Sequence, residues 1–244
     1  MIRRPPRSTL SSSSAASDVY KRQTGVEALL RLQDGKGGHF SNDEVIPLIE
    51  GEKLFSLIVL ESLNQIKKFF ESRDELGLAN TTAYLNVSAH TIMHQEFCKI
   101  FSNFVEENNI KENEFGLEIT ETAELEDTQK AGESLERLKK RGIKIALDDF
   151  GAGYASLKYI RDLPIDVVKL DRHFTSNICD PSTSRLIKFV SDVCAELNLE
   201  MIGEGIETEQ EKNMMIDLGC ETGQGFLMHM PSFIEDIKKE SHDG

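Results

Sequence analysis

Short apolar runs rich in β-branched residues recur along the chain, at Val26–Leu32, Ala83–Ser88, Phe115–Thr120, Ile143–Leu147, Asp166–Leu170 and Glu200–Gly203, with a brief one at Glu221–Gly223. Between them apolar positions return every three or four residues. That spacing predicts helices over Glu52–Ser72, Gln95–Asn109, Thr128–Arg141, Ser182–Leu197 and Glu209–Leu218. Two helices end on stop signals, Gly142 after Lys139-Lys140-Arg141 and Gly219 after Leu218. Alternation of strand and helix at this spacing builds parallel βαβ units. The pattern supplies seven strands, one fewer than a closed (β/α)8 barrel needs. The expected fold is therefore α/β, a TIM-like barrel missing its first native strand. An open doubly wound sheet is the alternative, and the placement of polar residues favours the barrel.

The beginning of the chain breaks the pattern. Met1–Arg22 holds five basic residues and one acidic residue, Asp18, with serines at 11–14, a Pro-Pro pair and no periodic apolar face. It lacks the apolar centre of a signal peptide and the amphipathic face of a transit peptide. The string through Gln23 resembles translated sequencing-adapter read-through. Residues 1–23 are expected to be a non-native or disordered leader, with the native beginning upstream of Thr24, and residues 24–240 to be one catalytic domain.

A buried parallel strand should be apolar almost throughout, so each polar residue inside one needs a reason. Glu27, Asn86, Glu118, Asp148 with Asp149, Lys169, Glu204 and Gln224 interrupt successive strands, most of them at the C-terminal end. Any one of them alone reads as a helix cap or a surface group. Repetition on successive strands does not, because in a (β/α)8 barrel those ends converge on the face where active sites form. Several carboxylates cannot stay ionised at close quarters without cations. Oxygen ligands without Cys or His select hard ions, Mg²⁺ or Mn²⁺. Two such ions about 3.5–4 Å apart activate water and stabilise both oxygens of a phosphoryl displacement. Lys169 could then position the attacking water, and Arg31, four residues after Glu27, could contact a phosphate.

Charge and cysteine use narrow the setting. The 244 residues carry a formal net charge of -14, which argues against a nonspecific DNA or RNA binder. The longest apolar stretch, near Leu54–Leu60, is far below the ~20 residues of a membrane helix, so no membrane contact by this domain is expected. Cys98, Cys179, Cys194 and Cys220 lie far apart with no Cys-x-x-Cys pair, which suits a reducing, cytoplasmic location.

The ordered motifs are Glu27-Ala28-Leu29, Val45-Ile46-Pro47-Leu48-Ile49-Glu50, Asn86-Val87-Ser88-Ala89 and Glu118-Ile119-Thr120-Glu121. They continue with Asp148-Asp149-Phe150-Gly151-Ala152-Gly153-Tyr154, Lys169-Leu170-Asp171-Arg172, Glu204-Gly205-Ile206-Glu207-Thr208 and Gln224-Gly225-Phe226. This set resembles the EAL-domain phosphodiesterases, which cleave the bacterial second messenger cyclic di-GMP to linear pGpG, and covers nearly all of residues 24–231. A lone Glu-Ala-Leu would mean nothing; the ordered set is specific. The resemblance implies Glu27, Asn86, Glu118, Asp148 and Asp149 as metal ligands, with Asp149 at the second metal. It implies Lys169 as the orienter of water and Glu204 as general base or a further water and metal contact. Arg31, Gln224 and Phe226 would meet substrate. Glu121 would brace the loop 150–157, which in the family couples metal binding to dimerisation, so a homodimer is expected.

Departures from the family pattern are the missing first strand with its Gln-Pro pair, Leu32 for the usual aromatic, Ala152 and Ala155 for hydroxyl residues, and Phe226 for Tyr. None removes a metal ligand. The leading expectation is a metal-dependent phosphodiesterase acting on cyclic di-GMP. A noncatalytic cyclic di-GMP sensor is the alternative, and an interaction module without nucleotide binding the third. Other features read as structure. His90 and His94 lack the glutamate of a zinc motif, Gly35-Lys36-Gly37-Gly38 reads as a turn, and Met214-Met215, Phe69-Phe70 and Cys220 read as core.

Overall fold

The structure, a computed structural model, describes residues 7–16, 19–33, 39–40, 54–94, 96–120, 127–153 and 156–228. Along the chain these form β1 (Arg7–Ala16), β2 (Val19–Gln33), β3 (His39–Phe40), α1 (Leu54–Ser72), β4 (Thr82–Val87), α2 (Ala89–Met93) and α3 (Phe97–Glu107). There follow β5 (Phe115–Thr120), α4 (Thr128–Lys139), β6 (Ile143–Phe150), α5 (Ser156–Asp162), β7 (Val167–Leu170), α6 (Arg172–Ser176), α7 (Pro181–Leu197), β8 (Glu200–Gly203), α8 (Glu209–Asp217) and β9 (Thr222–Gly223). Strands β2, β4, β5, β6, β7, β8 and β9 lie side by side in that order, each pair parallel. These are the seven strands the hydropathy pattern predicts, with ends shifted by at most three residues except at β2, which begins at Val19 rather than Val26. The short helices α2, α5 and α6 carry too few turns to show a period and are additions to it.

The place between β2 and β9 is filled by β1, which runs antiparallel to both. Its register on β2 runs from Arg7 opposite Arg31 to Ala16 opposite Val19, with irregularities between Ser13 and Ser14 and between Ala15 and Ala16. The ring thus closes through a segment in which no apolar alternation is legible. Main-chain N–H and C=O groups on the two open edges need partners, and an extended segment supplies them whatever its side chains.

The longer helices pack outside the ring through apolar stripes. On α3 that stripe is Phe97, Phe101, Phe104 and Val105, and the rings of Phe101 and Phe104 lie 6.3 and 5.5 Å from that of Phe115 on β5. Phe69, Met215 and Cys220 are buried in the same core, as the sequence predicts. Side-chain caps fix where helices begin. Asp180 receives the Ser182 and Thr183 amides of α7, and Thr208 and Glu211 form a reciprocal capping box on α8. What remains inside the ring is a narrow shaft of inward-facing residues.

Candidate active site

Inward residues alternate along each strand, so the shaft fills in layers. Lys144 and Glu200 pair at 3.1 Å near the strand beginnings. Two residues further on, Tyr84, Ala146, Val167 and Ile202 form a separate buried apolar cluster. Two more residues bring Asn86, Asp148, Lys169 and Glu204, joined by Glu27 and Glu118 from β2 and β5. The apolar layer is a floor that closes the shaft below the charged groups. Sequence reading missed it because an inward Ala or Val is indistinguishable by type from an outward one. The available signal was position, two residues before each polar interruption.

Lys169 is the centre of the charged layer and is 2% exposed. Its Nζ lies 2.9 Å from Asp148 Oδ1, 2.9 Å from Glu204 Oε1, 3.1 Å from Glu118 Oε2 and 3.8 Å from Glu27 Oε2. Glu27 is further held by amides: Asn86 Nδ2 donates to its Oε1 at 2.6 Å and Gln224 Nε2 to its Oε2 at 3.0 Å. Asn86, expected among the metal ligands, thus uses its nitrogen on Glu27 in this arrangement.

Asp148 and Asp149 are neighbours, and in a regular strand they would face opposite sides. Pairing of β6 with β7 steps from Leu147–Val168 to Phe150–Leu170, three residues on one strand against two on the other. That extra residue is a β-bulge, and Asp149 adopts φ 54° within it. An oxygen of each of Asp148, Asp149 and Glu204 then comes within 4.8 Å of the others. The residue opposite the bulge is Lys169.

The electrostatics follow from one ammonium among four carboxylates. Burial alone would lower Lys169, but Glu118, Glu27, Glu204 and Asp148 hold it well above the ordinary lysine value. Burial would raise Glu27, and Lys169 with the two amide donors overcomes this and holds it below the usual range. Burial raises Glu118 well above its ordinary value, against the pull of Lys169 and with the repulsion of its acidic neighbours. Glu204 is pushed up to about 8, and Asp149 to about 6, in each case chiefly by burial. The layer therefore has more negative charge than one lysine can balance. Glu118 Oε2 and Asp148 Oδ1 are buried without a hydrogen bond, although both lie within ion-pair distance of Lys169. Unbonded carboxylate oxygens, a donor set of oxygens alone and uncompensated charge all fit a hard divalent cation.

Glu27, Asn86, Glu118, Asp148, Asp149, Lys169, Glu204 and Gln224 are thus brought together. Phe226, two residues beyond Gln224, is 60% exposed, with its ring open to solvent past the end of β9. The Arg31 side chain and Glu121 lie outside the described residues, as do residues 34–38 and Ala155.

Residues 16–231 match the family model described as EAL domain. The chain is 32% identical over 222 residues to the cyclic di-GMP phosphodiesterase PA2567 of Pseudomonas aeruginosa, covering 89% of this chain and 37% of that one. It is 32% identical over 211 residues to the cyclic di-GMP phosphodiesterase PdeA of Borreliella burgdorferi, covering 84% of this chain and 31% of the relative. The chain therefore spans only about a third of the length of these relatives. Among solved structures, the phosphodiesterase described as "PaMucR Phosphodiesterase, c-di-GMP complex" superposes with a TM-score of 0.82 at 28% identity, covering 95% of this chain and 94% of that one. On the family match and these identities, the chain belongs to the EAL domain family.

Proposed function

We propose that this chain is a metal-dependent phosphodiesterase that opens one phosphodiester of cyclic di-GMP to give linear pGpG, in bacterial second-messenger signalling. The observation that carries this reading is the buried Lys169 ringed by Glu27, Glu118, Asp148 and Glu204 at the C-terminal mouth of the barrel. Relatives named as cyclic di-GMP phosphodiesterases and a neighbour complexed with c-di-GMP support the choice of substrate.

Mg²⁺ or Mn²⁺ would be held by Glu27, Asn86, Glu118, Asp148 and Asp149, with Asn86 turning its carbonyl inward. When bound, the ions would supply Lewis acidity for the phosphoryl group and make a nearby water a stronger acid. The chain's own residues do the rest. Glu204 accepts a proton from the attacking water, whose oxygen forms the new bond to phosphorus as the bond from phosphorus to the ribose 3′ oxygen breaks, and that oxygen takes a proton from solvent to leave as a hydroxyl. Lys169, 2.9 Å from Glu204, orients that water and keeps Glu204 ionised when the cations share the charge. Gln224 and Arg31 contact substrate at the rim, and the exposed Phe226 ring offers a stacking face for a guanine. Glu121 braces the loop that follows β6.

The residues that do the chemistry lie within 24–240, and residues 1–23, a leader by sequence, add main-chain pairing to the ring rather than chemistry. Four free thiols suit the reducing cytoplasm. Among the described residues no helix is long and apolar enough to cross a membrane. The enzyme acts as a homodimer through α7, which presents Leu186, Phe189 and Leu197 to solvent.

The test is mass-resolved detection of pGpG after mixing the chain with cyclic di-GMP and Mg²⁺. Linear product that vanishes with excess chelator supports the reading. Tight binding of the dinucleotide with no product would replace it with a noncatalytic sensor.

A further inference from the structure

The acidic centre depends on two turns that belong to different strands. One begins at the bulge near the end of β6, where Asp148 and Asp149 lie, and runs on through Gly151; the other follows β8 and carries Glu204. Between them sits α6, a short helix capped by Asp171, whose side chain receives the His173 amide at 2.8 Å. The Asp171 amide donates to Phe150 O at 3.2 Å, which ties the helix to the first turn. The Glu204 amide donates to Leu170 O at 3.1 Å, which ties the second turn to the strand that leads into α6.

Both turns press their glycines against this helix. Gly151 has φ 96°, and a side chain there would begin 2.3 Å from Cε2 of Phe174. Gly205 has φ 65°, and a side chain there would begin 2.5 Å from Cβ of Arg172. Left-handed backbone suits glycine, and here the missing side chains also make room for α6. Phe174 is partly buried and packs on the main core, while Thr175 beside it is fully buried. The helix is thus a fixed wedge with one contact on each turn.

We infer that Phe174 is a positioning residue for the acidic centre: its ring edge, seated against Gly151 while Arg172 seats against Gly205, sets the spacing of Asp148, Asp149 and Glu204 around Lys169. This rests on the proposed metal-dependent reading and deepens it, because the three carboxylates are the group of oxygens that lie within 4.8 Å of one another. Phe174 touches neither substrate nor metal. It acts through the conformation of the turn at Asp149–Gly153, where the Ala152 amide closes onto Asp149 O at 3.0 Å.

The test compares Phe174→Ala and Phe174→Leu with Phe104→Ala, which opens a cavity against β5 far from the mouth. Mn²⁺ binding is followed by electron paramagnetic resonance and amide exchange by mass spectrometry, at a temperature where every variant is folded. Phe174→Ala should weaken Mn²⁺ binding by about 10-fold or more, the usual effect of losing a supporting contact behind a metal ligand. Phe174→Leu should recover part of the loss, and exchange at residues 149–153 should quicken in Phe174→Ala alone. Turnover should return toward the unmodified level as Mn²⁺ is raised, because the ligands themselves remain. Mn²⁺ binding and exchange indistinguishable from the Phe104→Ala control would overturn the inference. An unmodified chain that neither binds Mn²⁺ nor yields pGpG would instead overturn the proposed function, and exchange at 149–153 would then decide the positioning role by itself.

Discussion

Lys169 and its ring of carboxylates are where a single atom change has the largest consequence. Removing the ammonium by Lys169→Met leaves Glu118, Asp148, Glu204 and Glu27 facing one another in a buried shaft. Breaking a buried ion pair in this way costs about 3–5 kcal/mol, to be measured as the shift in urea unfolding in the presence of chelator. Added Mg²⁺ should recover part of it, since a cation can replace the missing charge. Glu204→Gln changes one oxygen to nitrogen at nearly constant volume. It should abolish pGpG formation while sparing binding of cyclic di-GMP, and full turnover in that variant would remove Glu204 from the role of base. The same groups set a pH dependence. Glu204 and Asp149 have carboxyls raised to about 8 and about 6 in the folded chain, so folding takes up protons there. Their stabilisation is complete below the ordinary carboxylate values and is lost as pH rises through about 6 and then about 8. The chelated protein should therefore melt at a lower temperature at pH 8.5 than at pH 5.5, by differential scanning calorimetry. Saturating Mg²⁺ should narrow the gap, and a flat profile in chelator would show that the ring carries no excess charge.

At the scale of elements, sequence and structure agree where a side-chain period decides the outcome and differ where the backbone does. Glu118 and Lys169 were legible because each interrupts a strand whose residues are otherwise almost all buried and apolar. Adjacent Asp148 and Asp149 were legible as chemistry but not as geometry. The bulge that brings an oxygen of each beside Glu204 is a change of register, and no residue type announces it. The packing of Phe174 on Gly151 escaped notice for a related reason: its value lies in a contact between a turn and a short helix that no periodicity records. Strand β1 is the extreme case, a serine-rich segment that pairs through main-chain groups on both flanks. Deleting residues 1–18 should therefore open the ring along β2 and β9 and leave two unpaired edges. Hydrogen exchange should then quicken at Val26, Ala28 and Thr222 while β5 and β6 stay protected. Unchanged protection at those positions would mean that β1 adds nothing to closure.

Among the described residues, one helix carries an apolar stripe that the fold does not cover. Helix α7 buries Ile187, Val190 and Cys194 against the barrel and turns Leu186, Phe189 and Leu197 outward, each more than half exposed. Lys188 and Asp192 run beside that stripe and pair with each other at 2.5 Å within the helix. Two copies of α7 packed antiparallel about a twofold axis would bring Lys188 of each against Asp192 of the other, so the surface is complementary to itself in charge as well as apolar. A net charge of -14 opposes association at long range, and salt weakens that repulsion within about 10 Å at 0.1 M. The dimer should accordingly be held by its apolar contacts and strengthen as salt rises. Light scattering coupled to gel filtration should give twice the chain mass for the unmodified protein, more completely at 0.3 M than at 0.05 M salt under the same screening argument. Phe189→Glu, which is exposed in the single chain and leaves the core intact, should give the mass of one chain with an unchanged melting temperature at low protein concentration. A dimer that survives this substitution would place the contact on another face of the barrel.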